Sequence, residues 1–114
     1  MAIKVLIERK VKAGYEVLVW NMLRDLRSQT VRQQGYLYGE TWRSLDNPRV
    51  FMVSSTWGSR EYWEAWSNDE YRKQVELRIS AFLRKPTTIR VFEELTTLPA
   101  PVYPTSGGRR GAAS

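Results

Sequence analysis

Apolar and polar residues alternate over residues 2–9, with Ile3, Val5 and Ile7 on one side and Lys4, Leu6 and Glu8 on the other. A period of two among β-branched residues predicts a strand. From Tyr15 to about Arg32 the period lengthens. Tyr15, Leu18, Val19, Met22 and Leu26 recur at i, i+3, i+4 spacing, which predicts an amphipathic helix. Val17, Trp20 and Leu23 broaden its apolar arc, and Gly35 supplies a left-handed terminator. Tyr36–Ser44 and Arg49–Trp57 then read as two strands of a hairpin, joined through Leu45-Asp46-Asn47-Pro48. In the later strand Phe51, Val53, Ser55 and Trp57 share one face, and Val50, Met52, Ser54 and Thr56 share the other.

Gly58-Ser59 opens a short helix with Ser59 as its N-cap, carrying Tyr62, Trp63 and Trp66. Ser67 with Glu70 fits a capping box and restarts the helix. That segment runs to about Arg84, with Tyr71, Val75, Ile79, Phe82 and Leu83 as its stripe, and Pro86 ends it. Thr87–Leu95 is a fourth strand. The order β-α-β-β-α-β predicts a ferredoxin-like α+β fold, a four-stranded antiparallel sheet with its helices on one face. Residues 1–96 form this domain, and residues 97–114 are a Pro- and Gly-rich tail. Val102 and Tyr103 in that tail are expected to pack on a partner subunit or over its pocket mouth, the alternative being a wholly disordered tail. The bare sheet face, with Leu6, Met52, Thr56 and Phe92, needs a cover, and a second copy supplies it most economically. A homodimer through the sheet face is therefore expected.

Two absences narrow the chemistry. The chain of 114 residues contains no Cys and no His. Disulfides, thiol nucleophiles, thiolate or imidazole metal sites and His-based triads all drop out. The net charge of +6 arises from interspersed charges, as in Arg24-Asp25-Leu26-Arg27, so solubility accounts for it and no nucleic-acid partner is expected. No apolar run approaches the ~20 residues of a membrane span, so no membrane partner and a cytoplasmic location are expected.

The segment Ser54-Ser55-Thr56-Trp57-Gly58-Ser59-Arg60-Glu61-Tyr62-Trp63-Glu64-Ala65-Trp66 ends a strand in Trp, then passes through a small residue, Ser and an acidic helix start. Together with Gly35-Tyr36 and Arg43-Ser44-Leu45-Asp46-Asn47-Pro48, it resembles the antibiotic biosynthesis monooxygenase domain family. The resemblance spans about residues 2–96. It implies a dimeric α+β barrel with a pocket between sheet and helices in each subunit. The haem-degrading branch of that family carries an Asn on the first strand, a Trp on the short helix and a His. Trp66 resembles the Trp, but Ile7 stands at the Asn position and the chain has no His. The cofactor-free branch oxidises phenolic or quinol substrates of polyketide type without metal or flavin. Its pattern matches Trp57, keeps an aromatic at Trp63, places an Arg close to Arg78 and has Asn where this chain has Val53.

The resemblance thus implies a cofactor-independent monooxygenase on a small aromatic, quinol-type substrate, with Trp57 and Arg78 as catalytic candidates. Trp63, Trp66, Val53, Asn21 and Tyr36 are the pocket candidates. Read as chemistry, Trp57 and Trp66 stack a ring and donate N–H groups, Arg78 holds an anionic oxygen, and Asn21 and Tyr36 orient a carbonyl or hydroxyl. Each residue also has a purely packing role open to it. The alternatives are a non-catalytic small-molecule-binding dimer and a partner-binding module that works through its tail. A cavity with an inward polar donor distinguishes the first reading from the others.

Overall fold

Residues 1–96 are described by a computed structural model, so the expectations for Val102 and Tyr103 lie outside the described residues. The elements are β1 (Ile3–Lys10), α1 (Glu16–Thr30), β2 (Tyr36–Arg43), β3 (Val50–Trp57), α2 (Arg60–Ser67), α3 (Glu70–Ser80) and β4 (Thr88–Glu93). The strands form one antiparallel sheet in the order β2-β3-β1-β4. This is the ferredoxin-like arrangement, with the second helical region split in two.

β1 lies in the middle of the sheet, and its alternation decides which face is covered. Ile3, Val5, Ile7 and Arg9 are buried, while Lys4, Leu6, Glu8 and Lys10 are half-buried. Ile3 stands opposite Trp57, Ile7 opposite Val53 and Arg9 opposite Phe51. That register gathers the inward residues of β1 and β3 under the helices. The opposite face carries Leu6, Met52 and Thr56 with Tyr38, Trp42 and Phe92, the last three all exposed.

The helices dock on faces that differ in detail from the sequence reading. In α1 the buried line is Val19, Leu23 and Leu26, while Tyr15 and Leu18 are exposed. The apolar arc is wide, so periodicity left the choice of its centre open, and packing on the sheet selects the side carrying Leu23. The expected capping box of Ser67 with Glu70 is absent. Ser67 ends α2, and its hydroxyl donates to the Glu64 carbonyl at 3.1 Å. Asp69 caps α3 instead, its Oδ1 accepting from the Tyr71 N–H at 2.9 Å and the Arg72 N–H at 3.3 Å. Ser59 holds the N-cap position of α2 in extended backbone, without a side-chain capping bond.

Gly35 fixes how α2 meets the sheet. Its φ is +84°, and a Cβ there would come within 2.1 Å of the Tyr62 ring. Glycine is therefore required twice, for the left-handed turn and for the close approach. The Gly58 N–H donates to the Gly35 carbonyl at 2.7 Å, joining the start of β2 to the end of β3.

Candidate functional site

The inward faces of β1, β2 and β3 and the undersides of α1, α2 and α3 enclose a cavity. Its aromatic wall is Tyr36, Trp57, Trp63 and Trp66. Trp57 is fully buried, edge-on to Tyr36 at 5.4 Å between ring centroids and tilted against Trp63 at 5.8 Å. These contacts follow from topology: Trp57 ends β3, and α2 starts three residues later. Trp63 and Trp66, at i and i+3, then turn the same helix face back over the sheet.

The charged wall is made of arginine. Arg9, Arg27 and Arg72 line the cavity, with no carboxylate among the described lining residues. Arg9 is 1% exposed and Arg72 is 5% exposed. Both guanidiniums share Glu76. Arg9 Nη2 donates to Glu76 Oε1, and Arg72 Nη2 lies 3.7 Å from the same oxygen. Arg72 also stands over the Trp63 ring at 5.1 Å. Burial pulls the Arg72 guanidinium below its ordinary value; Glu76 opposes this and Arg9 reinforces it. An arginine nonetheless stays charged under such pressure. Arg27 sits at the rim between α1 and β2, its Nη1 donating to the Gly39 carbonyl at 3.0 Å.

Of the residues singled out from sequence, Trp57, Trp63, Trp66, Val53 and Tyr36 are brought together around this cavity. Asn21 and Arg78 are not. Asn21 is half-buried on α1 outside the lining, and Arg78 lies on the exposed side of α3. Arg72, six residues earlier, is the α3 arginine that turns inward. The Trp57 Nε1–H donates to the Ser55 hydroxyl at 3.0 Å, so it is already engaged and not aimed at a ligand. The sequence reading missed Arg9, Arg72 and Glu76. Arg9 had a signal, because it continues the inward series Ile3, Val5, Ile7. Arg72 had one also, three residues before Val75 and seven before Ile79 on the buried side of α3.

The cavity measures about 40 Å³. That holds on the order of three water-sized groups. As it stands it receives a small head group and not a whole aromatic ring.

A conserved protein from Methanosarcina mazei superposes with a TM-score of 0.79 at 20% identity, covering 83% of this chain and 94% of that one. SnoaB, a cofactor-independent oxygenase from Streptomyces nogalater, gives 0.74 at 13% identity, covering 87% of this chain and 98% of its own. Rv0793 from Mycobacterium tuberculosis gives 0.74 at 13% identity, covering 93% and 100%. At such identities these likenesses establish the fold. Comparison with curated protein sequences finds no match. The family model described as antibiotic biosynthesis monooxygenase matches residues 2–76, from β1 through the Trp-bearing helix to Glu76 on α3. With that match spanning most of the domain that builds the cavity, the chain belongs to the antibiotic biosynthesis monooxygenase family.

Proposed function

We propose that the protein is a cofactor-independent monooxygenase acting on a small aromatic, quinol-type substrate of polyketide-like character, bound between sheet and helices. The observation that carries this reading is the wall of Tyr36, Trp57, Trp63 and Trp66 sharing a cavity with Arg9, Arg27 and Arg72, with no carboxylate among the described lining residues. Family membership supports a monooxygenase-type activity.

The chemistry asks little of the protein. An activated CH₂ of an anthrone-type ring loses a proton, and the resulting anion passes an electron to O₂. Recombination gives a peroxide, which loses water. The CH₂ becomes C=O, one oxygen atom is retained and the other leaves as water. Stacking and exclusion of water favour the electron-rich ring. The guanidiniums favour its ionised form. With no His in the chain and no carboxylate among the described lining residues, the proton passes to water at the open rim. A homodimer through the face bearing Leu6, Met52 and Thr56 completes this reading. It buries the side of the sheet that the helices leave bare.

Oxygen uptake by the protein with naphthohydroquinones and anthrones, without added metal or flavin, tests the activity. Turnover well above the buffer rate, lost in Trp57→Ala, is expected. A second reading, binding without turnover, is favoured by Val53 at the Asn position and by the engaged Trp57 N–H. Saturable binding of the same compounds with oxygen consumption at the buffer rate would select it.

A further inference from the structure

Two nitrogens at this cavity, Arg9 Nε and Arg72 Nη2, are buried without a hydrogen-bond partner among the described residues. Both belong to side chains more than nine-tenths buried, and both residues line the cavity. A buried charged donor without a partner costs free energy, more than a neutral one does. Here the local count is two positive charges against one, Arg9 and Arg72 against Glu76. The second oxygen of Glu76 does not correct this, because it accepts from the Thr87 hydroxyl at 3.4 Å. The deep end of the cavity therefore has one surplus positive charge and two N–H groups in want of acceptors. The cavity as a whole measures about 40 Å³, which suits a head group of about three heavy atoms and not a ring.

We propose that this end is a carboxylate-binding subsite, and that the protein's ligand is an aromatic acid whose carboxylate is held by Arg9 and Arg72. A carboxylate has two oxygens for two donors, three heavy atoms for the space and one negative charge for the surplus. With the carboxylate in place, charge at the deep end sums to zero. Arg27, at the rim, is then the guanidinium left for charge on the ring. The proposal deepens the reading of the cavity as a substrate site and rests on it, but its test reads binding and not turnover.

Titration calorimetry of the full chain with benzoate, and with benzamide as the uncharged isostere, provides that test. Benzoate is expected to bind at least tenfold more tightly. The preference should vanish in Arg72→Met and persist in Arg84→Met, an exposed arginine beyond α3. Should Arg72→Met fail to fold, indole N–H resonances of the wild-type chain decide the matter. Benzoate should shift those of Trp57, Trp63 and Trp66 and leave Trp20 and Trp42 in place. Equal affinity for benzoate and benzamide would overturn the proposal, as would shifts confined to Trp20 and Trp42. Tighter binding of 4-nitrophenolate than of benzoate would also overturn it, by assigning the site to a phenolate oxygen. Oxygen uptake on an uncharged quinol without any preference for benzoate would remove the carboxylate subsite and leave the oxygenase reading standing.

Discussion

Glu76 is a single residue on which two buried charges depend. It is 18% exposed and is shared by Arg9 and Arg72. Replacing it with Gln leaves two guanidiniums facing each other in a poorly hydrated space. Loss of one partner from a buried ionic cluster costs about 3–5 kcal/mol, so Glu76→Gln should destabilise by that amount in urea denaturation. Arg72→Met should cost clearly less, because Arg9 still holds Glu76. If the order were reversed, the cluster would not carry the surplus positive charge inferred for it. The residue scale is also where the sequence was least legible. The aromatic wall could be read because Trp57, Trp63 and Trp66 stand at fixed offsets around a strand end. The arginines were passed over because charge is ordinarily taken as a mark of the surface. Position was the better guide: Arg9 falls on the inward register of β1 and Arg72 on the inward stripe of α3. Arg78 was favoured because the Arg of the family pattern falls close to it, but a helix turns each successive side chain by about 100°, and the six residues from Arg72 to Arg78 bring a different face round.

At the scale of elements, strands were the most legible because their period leaves only two choices of face. Helices were legible in extent and less so in orientation. The apolar arc of α1 spans Val17 to Leu26, and only contact with the sheet decides that Val19, Leu23 and Leu26 form its buried line. The break between α2 and α3 was visible in Ser67-Asn68-Asp69-Glu70, which offers three capping side chains in a row. The backbone turns at Asp69, whose carboxylate reaches two N–H groups of the first turn of α3. Removing such a cap costs about 1 kcal/mol. Asp69→Ala should therefore lower stability by that order, while Ser67→Ala should change it little, as thermal unfolding monitored by circular dichroism would show. Because Arg72 sits one turn into the capped helix, Asp69→Ala should also weaken benzoate more than benzamide. Equal losses for Ser67→Ala and Asp69→Ala would return the cap to the serine.

At the scale of the molecule, the sheet has two faces, and the three helices among the described residues all lie on one side. The uncovered face carries Tyr38, Trp42 and Phe92 at 53%, 59% and 47% exposure beside half-buried Leu6 and Met52. Lys4 reaches over Tyr38 and Arg90 over Phe92, so cations partly mask the rings. Exposed aromatic rings spread over one sheet face mark an interface more often than a solvent surface. A two-fold axis through the sheet sets the patch against itself, and the same residues then serve both sides. Trp42→Glu and Phe92→Glu each add a charge to a side chain already open to water. Neither should disturb the core of a single subunit, yet each would place two like charges in a symmetric interface. Sedimentation at micromolar concentration should give twice the 13.3 kDa chain mass for the wild type and the chain mass for the double variant. The double variant should keep its far-ultraviolet spectrum, since the helices and their cavity lie on the other side of the sheet. A wild type that sediments as a single folded chain would end the dimer proposal and leave the open face to some other partner. A double variant that stays dimeric would move the interface elsewhere on the molecule.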